Sequence, residues 1–271
     1  MFLFWFYLIG ILIAVFQDLK RKEIDNWLNY TLFVGGTVFL IFNAIFIFDY
    51  FILFYGLFSL VVVAILANIF YYGRIYGGGD TKLLIAMFAL FAFGVSSFFE
   101  ISLNIGVFVF LLFFVGSLYG LVFSFVLFAK NFKKTSKEFS KSLKNRFVIT
   151  SFGLSGLFLV LSFVSPLFFG LFLFSLFGSL LFIFVKSIEN VSMIKSISTK
   201  DLRWGDWLFE DVKIGGRIIK SHWEGLTKSQ ARFLNKYDKK VRIKDGMAYA
   251  PVFLLALILY YFRNAILGLV F

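Results

Sequence analysis

The 271-residue chain contains no cysteine and a single histidine. Without thiols there is neither a disulfide nor a thiolate metal site, and one imidazole cannot build a histidine-based metal cluster. Charge is scarce as well. Only 15% of the residues are charged, against 61% hydrophobic ones and 43 phenylalanines, with a mean hydropathy of +0.91. A soluble domain cannot be built from that composition, so the class implied is a polytopic α-helical membrane protein. Its chemistry must come from carboxylates, amides, hydroxyls and backbone, with no metal and no organic cofactor.

Apolar runs long enough to cross about 30 Å of hydrocarbon occur near residues 2–17, 27–48, 51–72, 81–99 and 102–129. The opening run lacks a basic n-region and a small-residue cleavage site, and it leads directly into Asp18 and Lys20-Arg21-Lys22, so it reads as a first span and not a removable signal peptide. Proline occurs twice in the chain. One of the two, in Ser165-Pro166, splits the long run 147–185 into an expected helical hairpin, because proline cannot continue the hydrogen-bond ladder. Tyr249–Phe262 reads as a short last span ended by Arg263 and Asn264. The count is about eight.

Positive charge supports that count. With eight spans, 26 of the 27 Lys and Arg residues fall on one side: Lys20 to Lys22, Arg74 and Lys82, seven from Lys130 to Arg146, and fourteen from Lys186 to Lys244. Only Arg263 lies opposite, so the basic face is expected to be cytoplasmic, with both termini outside. Merging the hairpin into one crossing would send the fourteen to the wrong side. The net charge of +12 then suits anionic membrane lipids, not nucleic acid.

The polar stretch 186–246 is expected to form a small α+β cytoplasmic subdomain resting on the membrane domain. Val212–Ile214 and Arg217–Ile219 read as strands joined by a Gly215-Gly216 turn of type I′ or II′. Thr227 with Gln230 three positions on reads as a capping box that opens a helix. No internal repeat of the transporter kind is visible.

Two carboxylates stand out. Asp18 ends the first span, and Asp80 ends the run Gly77-Gly78-Gly79-Asp80 at the start of the fourth, both at the expected cytoplasmic edge. An ionisable group at that depth is costly and commonly functional. Two carboxylates within reach of one small volume cannot both ionise, so they share a proton and titrate as a unit, which suits water activation against a peptide bond. Glycines 77, 78 and 79, free of Cβ and able to adopt φ > 0, would let an unwound substrate backbone approach closely. Lys82 is a possible auxiliary that keeps one carboxylate ionised, or a side chain that snorkels to the headgroups. Plainer readings stand beside these: Asp80 as an ordinary N-cap of the next helix, and Asp18 as a solvated interfacial charge beside Lys20-Arg21-Lys22. Asp206, Glu210, Asp211 and Glu224 are surface carboxylates able to attract a basic peptide, and His222 reads as a loop residue.

On Asp18-Leu19-Lys20-Arg21-Lys22-Glu23-Ile24 after the first span, Gly77-x-Gly79-Asp80 after the third, and Val241 to Gly246 leading through Pro251 into an apolar run, the chain resembles the GxGD membrane aspartyl proteases, and most closely the archaeal preflagellin and prepilin peptidases. The resemblance implies that Asp18 and Asp80 are the catalytic pair and Gly77 and Gly79 the motif glycines. It also implies substrates among flagellin-like or pilin-like precursors, cut after short basic leaders at the cytoplasmic face of the cell membrane. The cysteine-rich insertion of bacterial prepilin peptidases is absent. Where many relatives carry proline after the isoleucine, this chain has Asp25, a reserve candidate carboxylate. The expected plan is the family's six-helix core plus an extra hairpin: 1–129 the membrane catalytic core, 130–146 a basic cytoplasmic loop, 147–185 the transmembrane hairpin, 186–246 the subdomain and 247–271 the last span. A proton- or ion-coupled transporter using interfacial carboxylates is the alternative.

Overall fold

The computed structural model describes residues 2–270, with side chains through Arg263. In chain order the helices and strands are α1 (Phe2–Arg21), α2 (Asn26–Ile47), α3 (Phe51–Tyr72), α4 (Gly78–Ala86), α5 (Phe88–Ala92), α6 (Phe98–Lys130), α7 (Phe132–Ser142), α8 (Arg146–Leu161), α9 (Pro166–Ile188), β1 (Ile194–Ser198), β2 (Trp207–Leu208), β3 (Val212–Ile214), β4 (Arg217–Ile219), α10 (Lys228–Leu234), β5 (Lys240–Lys244) and α11 (Ala250–Val270). Two compact units form, residues 1–120 with 247–271, and residues 121–246.

Among the described residues five helices are long and apolar enough to cross a membrane: α1, α2, α3, α6, and α9 with the π-helical turn that follows it. This is a multi-pass membrane protein, and the expected number of about eight spans is not reached by helices of that length. The fourth expected span, 81–99, is not one helix. The ladder breaks at Met87, after only nine residues of α4, and resumes for the five residues of α5. Apolar composition marked this segment as membrane-embedded but says nothing of ladder continuity, and a break inside the bundle is tolerated where neighbours take up the freed carbonyls. Those neighbours are present. The buried Tyr7 hydroxyl of α1 donates to the Ala86 carbonyl at 2.9 Å, and the buried Ser59 hydroxyl of α3 donates to the Phe88 carbonyl at 2.7 Å.

The broken helix is the centre of the first unit. Leu83, Leu84, Ala86, Met87, Phe88, Ala89, Phe91 and Ala92 are all buried, packed against α2 and α3 and against the Phe108 and Tyr260 rings, whose centroids lie 5.2 and 5.9 Å from that of Phe91. Small residues allow the close approach that helix packing in lipid depends on. A Cβ at Gly36 of α2 would lie 2.3 Å from the Tyr7 hydroxyl and 2.9 Å from the Ala89 Cβ. Large side chains such as Phe46, Phe54 and Phe110 point outward and stay exposed, as a lipid-facing surface requires. The other two helix boundaries also differ from expectation. Helix α6 begins at Phe98 and runs 33 residues, about 50 Å, and α11 does not stop at Arg263 but continues through Val270. The side chain of Asn264 lies outside the described residues, while Arg263 donates to Asn104 Oδ1 at 2.8 Å.

In the second unit the basic stretch after Lys130 folds as helix α7. Helices α8 and α9 form the expected hairpin around Ser165-Pro166, with Pro166 in the first turn of α9. Their antiparallel register is fixed by ring pairs Phe147–Phe182 and Phe158–Phe168 and by the Ser155 and Ser175 hydroxyls, 2.6 Å apart. An antiparallel sheet of order β1-β5-β2 and the β3–β4 hairpin follow. The turn between β3 and β4 is Gly215-Gly216, with φ of +58° and +74°. Two positive values make it type I′, which only glycine adopts without strain. Thr227 and Gln230 close the expected capping box on α10, Gln230 N donating to Thr227 Oγ1 at 3.3 Å and Thr227 N to Gln230 Oε1 at 2.9 Å. Leu202, Leu208, Val212, Ile214, Leu226, Leu234 and Val241 supply a separate small core.

Candidate active site

Asp18 lies in the last turn of α1 and is 6% exposed. Its Oδ2 accepts from the Ala250 N–H at 2.8 Å, and the backbone of Tyr249 adds a second contact. A carboxylate from one helix thus closes the start of another, 232 residues away in sequence. The first-turn N–H groups of any helix lack internal partners and favour an anion. Proline at position 251, which has no N–H to satisfy, suits the first turn of α11. The start of α11 is held from the other side by α6, where Gly116 makes room for the Tyr249 ring; a Cβ there would lie 2.2 Å from its hydroxyl. That hydroxyl donates to the Leu112 carbonyl at 3.3 Å.

Asp80 is not an N-cap. The helix already begins at Gly78, with extended Gly77 as its cap (φ −74°, ψ 166°), and Asp80 occupies the third helical position. Its Oδ2 accepts a long bond of 3.3 Å from the Gly77 N–H, a weak constraint. The side chain is half-buried and lies within electrostatic reach of Asp18. The two aspartates picked out in the sequence thus lie within electrostatic reach of each other. The link is partly the α1–α2 turn, where the Asp25 N–H donates to Gln17 Oε1 at 2.9 Å and buried Ile24 packs on the glycine run, 3.5 Å from the position of a Cβ on Gly79.

The glycine run differs from expectation in detail. None of Gly77, Gly78 and Gly79 has positive φ, and a Cβ on any of them would meet neighbours no nearer than 3.4 Å. What the three glycines contribute in this structure is a bare backbone beside Asp80, not a backbone shape closed to other residues. Lys82 does not pair with Asp80; its Nζ donates to Asn26 Oδ1 at 2.8 Å. The reserve carboxylate Asp25 is turned away, accepting from Arg21 Nη2 at 2.7 Å and from Trp27 Nε1 at 3.2 Å, and the Arg21 contact holds it below the ordinary carboxylate range. Among the surface carboxylates, Glu210 takes both a 2.9 and a 2.6 Å bond from Arg242, Asp206 takes the Arg203 N–H, and Asp211 takes the Ser221 N–H. These are bonds that hold the second unit's loops.

Sequence reasoning missed the tyrosines. Tyr76, directly before the glycine run, is 4% exposed, its ring 5.3 Å from that of Tyr249, and both feel the charge of Asp80. Tyr119 of α6 feels that of Asp18. Their only signal in the sequence was position: one abuts Gly77 and another abuts the residue that binds Asp18. Among the described residues there is no group of three or more His, Cys, Asp or Glu placed to hold a metal ion.

The fold and site together define a multi-pass helical membrane protein with a broken helix beside two buried or half-buried carboxylates. Comparison with known proteins adds to this. Residues 5–129, the segment that carries both aspartates, match the model of the Type IV leader peptidase family. Over 82 residues the chain is 37% identical to a preflagellin peptidase of Methanococcus maripaludis (strain C6), the match covering 30% of this chain and 35% of that protein. It thus spans about a third of the length of the curated relative it matches. No solved structure matches the chain.

Proposed function

We propose that the protein is a membrane-embedded aspartic endopeptidase that removes the short basic leader from flagellin-like or pilin-like precursors at the cytoplasmic face of the cell membrane. The observation that carries the reading is that Asp18, bound at the start of α11, lies within electrostatic reach of Asp80. The family match over the same segment supports it, and the one-sided distribution of Lys and Arg supports the cytoplasmic orientation.

The two environments assign the roles. The N–H groups at the start of α11 serve an ionised Asp18, and repulsion between like charges leaves the shared proton on Asp80. Water gives a proton to Asp18 as its oxygen bonds the scissile carbonyl carbon, while Asp80 gives its proton to the carbonyl oxygen. In the resulting gem-diol the proton on Asp18 passes to the amide nitrogen, the C–N bond breaks, and one diol hydroxyl returns a proton to Asp80. The products are a carboxylic acid and an amine, and the pair is restored. Gly77 to Gly79 offer exposed backbone against which an unwound cleavage site can lie.

Co-expression with a flagellin-like or pilin-like precursor, followed by gel shift and N-terminal sequencing, tests this. Wild type should yield a mature chain cut after the basic leader, and Asp18→Asn and Asp80→Asn should leave the precursor intact at normal protein levels. Full processing by either variant would overturn the reading. The ion-coupled transporter is the less supported reading: the family match over residues 5–129 does not point to it, and no internal repeat is visible in the sequence.

A further inference from the structure

The Tyr76 hydroxyl is buried and closes no hydrogen bond of good geometry among the described residues, although the Tyr249 hydroxyl lies near it. Such a group is expensive, because burial strips it of water without returning an equivalent bond. Nothing in the packing of the ring calls for it. Phe70, Tyr249 and Phe253 surround Tyr76 at centroid distances of 5.2, 5.3 and 6.0 Å, contacts a phenylalanine would make equally well. The buried hydroxyls of α1 and α3 that face the broken helix are satisfied, Tyr7 on Ala86 and Ser59 on Phe88; at Tyr76's place no such bond is closed. That place is the site itself. Tyr76 precedes Gly77, whose N–H binds Asp80, and its ring lies against Tyr249, which precedes the residue bound to Asp18.

Resting on the dyad reading above, we propose that Tyr76 is a third catalytic group, whose hydroxyl donates a hydrogen bond to the oxygen of the scissile carbonyl as it becomes the gem-diol. A donor held ready in a water-poor site, and used only when charge develops on that oxygen, stabilises the transition state more than the bound substrate. The unmet bond is then made by substrate during the reaction. No proton is transferred; Tyr76 remains neutral through the cycle while Asp18 and Asp80 exchange the protons.

The test is Tyr76→Phe in the full-length protein, assayed on the precursor beside wild type, Asp18→Asn and Asp80→Asn, with thermal unfolding measured in the same detergent. Loss of one preorganised donor should lower kcat by about 10²-fold with KM nearly unchanged. Unfolding should occur at the same or a higher temperature, because an unpaired polar group has been removed. A kcat within about twofold of wild type, with both Asn variants inactive, would overturn the role of Tyr76 and leave the dyad standing. A rise in KM alone, or activity lost together with a fall in unfolding temperature, would make Tyr76 a packing residue and also overturn it. Processing by either Asn variant would remove the dyad and this proposal together.

Discussion

The two units of the chain solve the same problem, satisfying polar groups away from water, by opposite means. In the first unit the decisive bonds are long-range: Tyr7 to Ala86, Ser59 to Phe88, Asp18 to Ala250. In the second many are local or on the surface, as in the Gly215-Gly216 turn, the Thr227–Gln230 box and the Glu210–Arg242 pair, with buried Thr199 bonded to Tyr237 an exception. The difference follows from the surroundings. Where water is near, a turn or cap closes on itself and surface charge costs little. In lipid a freed carbonyl must find a partner on another helix, and Tyr7 and Ser59 supply such partners to the broken α4–α5 segment that begins beside Asp80.

The largest effect expected from this contrast is at the pair. Asp18→Asn and Asp80→Asn should each lower kcat/KM for precursor by about 10³-fold or more, roughly 4 kcal/mol of transition-state stabilisation, in a timed cleavage assay. Next comes the broken helix. Gly36→Ala places a Cβ against the Tyr7 hydroxyl and Ala89 and should cost about 1–3 kcal/mol of overpacking, read by unfolding in mixed micelles. If the clash is chiefly with the hydroxyl, the double variant with Tyr7→Phe recovers part of that loss. Tyr7→Phe by itself leaves the Ala86 carbonyl without its donor and should cost about 1–2 kcal/mol, which the same unfolding measurement will register.

How much of this could be read beforehand divides along the same line. The first three spans, the hairpin around Ser165-Pro166, the Gly215-Gly216 turn and the capping box were legible because each is written in adjacent residues. The break at Met87 was not, because hydropathy counts apolar residues and the break depends on hydroxyls of α1 and α3. The end of α11 was misread because Arg263, taken as a terminator, finds Asn104 and a place over the Tyr260 ring, 4.4 Å away. Of the candidate site, the places of Asp18 in the last turn of α1 and of Asp80 in the first turn of α4 could be read. Tyr76, Tyr249 and the start of α11 could not, since their relevance exists only after folding.

The smaller predictions probe the local side. Gly215→Ala should cost about 1–2 kcal/mol, since it forces a left-handed residue and crowds Tyr237, whose hydroxyl lies 2.1 Å from the added Cβ; hydrogen exchange of the β3–β4 amides will show it. The smallest effect is electrostatic. Hydrogen bonding to Arg242 holds Glu210 below the ordinary glutamate range, so its contribution is complete above the pKa it has when unfolded and is lost as pH falls through the lower, folded value. Both groups are exposed, and added salt should erase most of the pH dependence seen by comparing wild type with Glu210→Gln.

The central claim is that Asp18 and Asp80 occupy one site, and the absence of cysteine from the chain makes it directly measurable. The double variant Asp18→Cys with Asp80→Cys, treated in native membranes with a short thiol cross-linker and digested, should give a single linked product joining the α1 peptide to the α4 peptide, with none from either single variant. Two thiols that both react with a monofunctional reagent yet never join would contradict the account.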